Sequence, residues 1–357
     1  MRPNPLSPVL ALLPLLVGCA PVVVIWDGGD ITQDTTWSGN ILVENGFDVN
    51  ARLVIEPCAR IEMGSGVLVH VRDGGSIVAQ GTEDCPIVFT SALGAPAAGD
   101  WQRFDLWSTS SNDNVFEHVA FEWAGPDLYG AVWVESGATV AFRDVSVIGT
   151  TDDGLHFEPD ARIEDFTRVD FDEIGGHPVH LGMRAAGAVA DVAVTGSVAD
   201  PRILVVPSTL TQDVTFSALA VPYEVDSQEI NAGWTLDPGA TVQLAPGALV
   251  HVREGGALRA VGTADAPVII ESAKDAPAAG DWARFDLWDS SSNANVLEHA
   301  VVRHGGSDPT YGAIWLEGGA SVDLTSVVFE ENDGCDVYAP QDADVGATDA
   351  PFVNCVE

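Results

Sequence analysis

Laid over itself with Leu68 on Leu249, the chain matches its own sequence: Leu68-Val-His-Val-Arg72 meets Leu249-Val-His-Val-Arg253, and in the same alignment Gly99-Asp-Trp101 meets Gly280-Asp-Trp282. Roughly half of the positions from Leu53 to Gly125 are identical to their counterparts, so the chain carries two homologous halves. A finer and regular period, one short structural unit long, runs inside them. Val119-Ala-Phe121, Val145-Ser-Val147, Val169-Asp-Phe171 and Val192-Ala-Val194 form one series, and Ala131-Val-Trp133, Leu155-His-Phe157 and Val179-His-Leu181 form another with the same step. Each motif alternates apolar and polar side chains, the period of two that belongs to a strand with one buried face. Gly, Asp, Asn, Ser and Pro fill the intervals and supply turns. Short strands recurring at one rung length, with no helical periodicity, predict an all-β coil that stacks parallel strands on itself.

Charge narrows the partners. With 53 acidic and 15 basic side chains the net charge is -38, which repels a polyanion and excludes nucleic acid. Hydrophobic content of 46% is too high for a disordered chain, so the acidity belongs on the surface of a body with a real core. Lysine occurs once, at Lys274, and there is no zinc spacing, nucleophile elbow or glycine-rich nucleotide loop. Such acidity also suits a salty medium, where repulsion is screened.

The first residues read as an address. Arg2 is followed by an apolar run from Leu6 to Val17 and small residues before a cysteine, the layout of a secretion signal. Leu16-Val17-Gly18-Cys19 resembles the lipobox of bacterial lipoproteins, which implies a signal peptide over 1–18, lipidation of Cys19 and a tether over 19–30. By the same resemblance, Ala20 after the cysteine points to the outer membrane or cell surface, with the protein anchored to the membrane rather than spanning it. The other four cysteines then meet an oxidising compartment. Cys58 and Cys85 correspond to Gly239 and Ala266, so both are missing together from the second half. Their joint gain or loss predicts a Cys58–Cys85 bridge, leaving Cys335 to pair with Cys355.

The run Gly74 to Thr82, then Pro86 to Thr90, Gly99-Asp-Trp101, Glu117-His118 and Tyr129 to Trp133 recurs as Gly255 to Thr263, Pro267 to Glu271, Gly280 to Trp282, Glu298-His299 and Tyr311 to Trp315. In these motifs the chain resembles the right-handed parallel β-helix proteins of bacterial surfaces, whose fold is shared with pectate lyases. The resemblance implies a right-handed single-stranded parallel β-helix, and the duplication divides it into halves at 31–209 and 210–357. Arg103-Phe104 and Arg284-Phe285 depart from the family pattern, which has glycine and isoleucine soon after Gly-Asp-Trp, so the bend there is expected to differ.

If Val119, Phe121, Val145, Val147, Val169, Phe171, Val192 and Val194 point inward, alternation turns Glu122, Asp144, Asp170, Asp172 and Asp191 outward on one sheet. Carboxylates stacked about 4.8 Å apart repel, and Arg143, Arg168, a bound Ca²⁺ or a retained proton would offset that. Asp170 and Asp172 are candidates for acid and base work on a glycoside, and Glu122, Asp144 and Asp191 for ligand binding. Asp144, Asp170, Asp172 and Asp191 are the calcium candidates. The pectate-lyase resemblance makes a Ca²⁺ and acidic-sugar reading reasonable, with Arg168 as base. A solvated acidic surface strip is the plainer reading, and the second half, with Arg303 and Ser326 opposite Glu122 and Asp144, does not repeat it.

Trp101, Trp107, Trp133 and their counterparts Trp282, Trp288 and Trp315 read as packing first and sugar platforms second. Arg103 with Asp105, and Arg284 with Asp286, read as surface charge pairs. His70, His118, His251 and His299 read as structural. His177 and His180 stand three apart, on opposite faces of a strand, which argues against a shared metal. With no complete catalytic set and no required cofactor, the expected function is a membrane-anchored envelope lipoprotein acting as an extended scaffold for glycans or surface proteins. The alternatives are a Ca²⁺-assisted polysaccharide lyase or glycoside hydrolase, and a structural spacer.

Overall fold

A computed structural model of the chain describes residues 23–346, 349 and 351–355. The expected signal peptide over 1–18 and the lipidation site Cys19 lie outside the described residues. The body is an all-β, right-handed parallel β-helix with a single helical turn, Met183–Ala186. No helix among the described residues is long and apolar enough to cross a membrane.

Four parallel sheets build the coil among the described residues. Sheet 1 has 11 strands, from Val23–Trp26 to Val192–Val194; sheet 2 has 12, from Phe47–Val49 to Val328–Glu330. Sheets 3 and 4 have six each and begin at Thr209–Leu210 and Val214–Phe216. Val23–Trp26, expected to belong to the tether, pairs with Asn40–Val43 as an edge strand of sheet 1. The regular step read from the sequence holds along Val132, Leu155, Val179 and Ile203, which pair in succession. Elsewhere it fails: Val69 pairs with Phe104, a longer step, and Ile203 with Tyr223, a shorter one, because loops lengthen some rungs and tight turns shorten others.

Alternation places the core as expected. Val119, Phe121, Val145, Val147, Val169, Phe171 and Val192 are buried, and Val194 is half-buried against them. Identical faces stack from rung to rung: Phe89 lies over Phe121 with ring centroids 5.5 Å apart and planes at 9°, and Phe116 over Phe142 at 5.4 Å and 15°. Phe104 closes the gap edge-on to Phe89 at 5.0 Å. Arg103–Leu106 is a sheet 2 strand paired between Leu68–Val71 and Val132–Val134.

Corners are made by single residues in the left-handed region. His118, Asp144 and Arg168 have φ of 48, 53 and 53° at the same point of successive rungs, and bend Asn114–Glu122, Thr139–Thr150 and Arg162–Ile174 into two faces. At another corner Gly75 and its counterpart Gly256 lie so near the rung below that a Cβ would stand 2.0 and 2.1 Å from the carbonyl oxygens of Val49 and Ile230. Inside the Ser/Asn turns, buried Asn114 accepts from the Ile77 amide and donates to the Thr139 carbonyl, joining three rungs; Asn295 does the same with Leu258 and Ser321. Both expected disulfides are present, Cys58–Cys85 and Cys335–Cys355, with Cα atoms 4.5 and 5.4 Å apart.

Homologous strands do not share a sheet. Leu68–Val71 belongs to sheet 2, but its copy Leu249–Val252 belongs to sheet 3; Arg60–Met63 belongs to sheet 1, but its copy Thr241–Leu244 belongs to sheet 2. The second half is thus turned by one face about the coil axis relative to the first.

Because Phe121 stacks in the centre of the core, Phe121→Ala should cost about 3–5 kcal/mol, whereas Leu128→Ala on the surface should stay within about 0.5 kcal/mol. Denaturant unfolding of the two variants beside the parent chain measures both.

Candidate functional site

Outward positions of sheet 2 form a column in which each residue pairs in register with the next. Its first stretch is Asp48, His70, Asp105 and Trp133. Each stands between two inward apolar neighbours, as His70 does between Val69 and Val71. His70 bridges the rungs, with Nδ1 3.0 Å from Asp48 Oδ1 and Nε2 3.6 Å from Asp105 Oδ2. Arg103 Nε donates to Asp105 Oδ1 at 2.6 Å, and its guanidinium lies 4.8 Å from the centre of the Tyr129 ring. Tyr129 in turn packs against Trp133 at 5.3 Å, and Arg72 covers Trp107 at 5.1 Å.

The expected surface charge pair is therefore buried. Asp105 is 4% exposed and Arg103 9%, because the aromatic rings sit over them. Burial pushes the Asp105 carboxyl up, against the pull of Arg103 and then His70. On sheet 3 the second half repeats the arrangement: Arg284 Nε donates to Asp286 Oδ1 at 2.6 Å, Arg284 lies 5.1 Å from the Tyr311 ring centre and Arg253 5.6 Å from that of Trp288. Arg284, Asp286, Trp288, Tyr311 and Trp315 line a concavity of about 210 Å³. The tryptophans accordingly divide by role. Trp101 and Trp282 are fully buried, their Nε1 donating to the Glu122 and Arg303 carbonyls, whereas Trp107, Trp133, Trp288 and Trp315 lie half-exposed on outward faces.

Further along the same column, His156 and His180 are paired neighbours with rings 4.0 Å apart. His156 Nδ1 donates to the Leu128 carbonyl at 3.0 Å, and His180 Nδ1 to Asp153 Oδ2 at 2.9 Å. Asp153, 4% exposed, also accepts the His177 amide at 2.9 Å and faces His177 Nδ1 at 3.4 Å. His177 and His180 thus meet one carboxylate, contrary to the opposite-face expectation: the strand is only Val179–Leu181, and His177 lies in the turn before it. Beyond His177, its Nε2 faces Asp200 Oδ2 at 3.4 Å and Glu224 Oε2 at 3.6 Å. Two groups able to hold a metal ion follow, Asp153 with His156 and His180, and His177 with Asp200 and Glu224. Sequence reasoning passed over both, although the recurrence of histidine at 156 and 180, one rung apart, was a usable signal.

The acidic strip on sheet 1 is only partly assembled. Asp144, Arg168, Asp170 and Asp191 line an open concavity of about 480 Å³ with Ser146 and Ala193. Glu122 and Asp172 lie outside it, and the carboxylates do not stack on successive rungs. Ile148 separates Glu122 from Asp172, and Asp170 stands between Ser146 and Ala193. Arg168 grips Asp144 through two hydrogen bonds of 2.5 and 2.7 Å, which hold the Asp144 carboxyl below its usual range and raise the guanidinium further. Burial, then Asp191 and Asp144, pushes the Asp170 carboxyl up. Arg143 pairs with Asp165 at 2.5 Å, and Asp172 accepts the Ser197 amide at 3.1 Å.

Burial, then the charge of His180, pushes the His156 imidazole down to about 4. Burial opposes a charge on His177, but Asp153, Glu224 and Asp200 outweigh it and raise that imidazole to about 9. From an ordinary value of about 6.5, the His177 contribution to stability is full below about pH 6.5 and is lost as pH rises through about 9. For His156 the cost of keeping the ring neutral is absent above about pH 6.5 and grows as pH falls toward about 4. NMR titration of the ring protons in chelator-treated protein, assigned with His156→Asn and His177→Asn, should show one histidine titrating in acid and one in base. His156 and His177 both titrating near neutrality would refute this electrostatic account.

A family model described as a pectate-lyase like beta helix domain matches residues 29–111, which span the first rungs and the Asp48, His70 and Asp105 positions. Neither the curated proteins nor the solved structures contain a match. The chain is a right-handed parallel β-helix with a pectate-lyase-like domain in its first half.

Proposed function

We propose that this protein is a binding scaffold of the bacterial cell envelope, anchored by lipid at Cys19, that holds carbohydrate chains at two aromatic sites. The observation that carries this reading is the recurrence of one outward constellation in both halves. Arg103, Asp105, Trp107, Tyr129 and Trp133 on sheet 2 correspond to Arg284, Asp286, Trp288, Tyr311 and Trp315 on sheet 3. Half-exposed rings offer apolar faces to a pyranose, the stacking that holds a sugar on an aromatic surface, while the Arg–Asp pairs beneath them support the platform. Each Arg–Asp pair also locks the rings in place, so little side-chain freedom is lost on binding. Since the halves are turned by one face, the two sites look in different directions and take separate glycan chains.

A second reading, a lyase or hydrolase, draws on the sheet 1 concavity, where Asp144, Asp170 and Asp191 supply oxygen ligands of the kind Ca²⁺ takes and Asp170 has a raised carboxyl. The hold of Arg168 on Asp144 weighs against its service as base.

Incubating the protein with a panel of neutral and acidic polysaccharides, with and without Ca²⁺, tests both readings. Retention without shortening is expected, at two sites per chain, with Trp133→Ala and Trp315→Ala each removing one. Shortening of a glycan, lost in Asp170→Asn, would replace the scaffold by an enzyme; neither retention nor shortening would leave only the spacer. For the anchor, Cys19→Ala should move the protein from the membrane fraction to the soluble one, and unchanged fractionation would refute lipidation there.

A further inference from the structure

The geometry points to a divalent transition-metal site of the Zn²⁺ class in the middle of sheet 2, with His177 Nε2, Asp200 and Glu224 as ligands and Asp153 as the residue that orients His177. The three ligand atoms come from successive segments of the coil, His177 in the turn before Val179–Leu181, Asp200 before Ile203–Val205, and Glu224 within Tyr223–Val225. His177 Nε2 stands 3.4 Å from Asp200 Oδ2 and 3.6 Å from Glu224 Oε2. Ligand bonds of about 2.0–2.2 Å in tetrahedral geometry set donors about 3.3–3.6 Å apart, which these two separations match; all three atoms lie within 4.8 Å of one another, close enough to share one ion. His177 Nε2 is shielded from solvent and has no hydrogen-bond partner among the described residues, and Glu224 Oε2, equally shielded, has only the ion pair with Arg202.

The surroundings match a metal in two further ways. Asp153 faces the other ring nitrogen, Nδ1, at 3.4 Å and accepts the His177 amide at 2.9 Å, the carboxylate-to-histidine support that fixes a ligand's ring and its tautomer. Arg202 lies against the acidic pair, donating from Nε to Asp200 Oδ1 at 2.5 Å and from Nη2 to Asp200 Oδ2, and facing Glu224 Oε2 at 3.1 Å, so an ion here shares both carboxylates with the guanidinium. With His177 neutral, Asp153, Asp200 and Glu224 against Arg202 leave two negative charges, the amount one divalent ion balances. Imidazole with two carboxylates favours the zinc-like ions over Ca²⁺, which takes all-oxygen shells.

The experiment uses untagged full-length protein stripped with chelator, titrated with Zn²⁺ by equilibrium dialysis and with Co²⁺ by visible absorption. One Zn²⁺ per chain and a tetrahedral Co²⁺ spectrum are expected. His177→Ala and Glu224→Gln should abolish both, Asp153→Asn should weaken binding about 10–100-fold, and His156→Ala should leave binding intact. Glu224→Gln keeps shape and volume, so it decides the matter where His177→Ala fails to give the parent circular dichroism spectrum. No Zn²⁺ bound by the parent chain would overturn the proposal and leave His177 as a protonated member of an ion network. Loss of binding in His156→Ala with retention in Glu224→Gln would overturn it too, by moving the ion to the His156–His180 pair.

Discussion

In-register stacking of rungs is the constraint on which everything else in this molecule depends. A parallel coil places each inward side chain directly on the one a turn below, about 4.8 Å away, so the core is built as columns rather than as a jigsaw of distant parts. Phe89 over Phe121 and Phe116 over Phe142 satisfy this with near-parallel rings. Polar groups obey the same rule: Asn114 and Asn295 stay buried because the rungs on either side supply their partners. Left-handed corners at His118, Asp144 and Arg168 let one strand serve two faces without breaking the stack.

Stacking also governs the outside. An acidic chain that stacked carboxylates on carboxylates would work against its own fold, and these outward columns avoid it by placing an imidazole or a guanidinium next to each acid. Asp48, His70 and Asp105 follow one another on sheet 2, and His118, Asp144 and Arg168 on sheet 1. Where carboxylates do gather, around His177, the structure leaves the cluster short of positive charge.

Duplication gave the chain two copies of an aromatic and charged face, but the coil decided where they look. Sheet 2 runs through both halves and is made of different homologous strands in each, so the second copy of the Arg–Asp–Trp face emerges on sheet 3. The same face is therefore presented in two directions by one coil.

The amino-acid sequence by itself determined the local facts: which residues alternate, which of them point inward, where turns fall and which cysteines pair. These follow from periodicity over a few residues and from comparison of the two halves, as Val119, Phe121 and the Cys58–Cys85 bridge illustrate. Only the tertiary structure decided what stands above what. Neighbours in a column are separated by a whole rung, and rung length varies with loops that carry no period, so Val69 reaches Phe104 while Ile203 reaches Tyr223. The acidic strip divided for another reason: against the aligned Val119, Val145, Val169 and Val192, Asp144 and Asp191 stand one position before, Asp170 one after, and Glu122 and Asp172 three after, with Ile148 between the last two. His177 and His180 converged on Asp153 because a turn, not a strand, carries the first of them. A side chain's face is set by its immediate neighbours in the chain, but its partners are set by the summed lengths of the turns between.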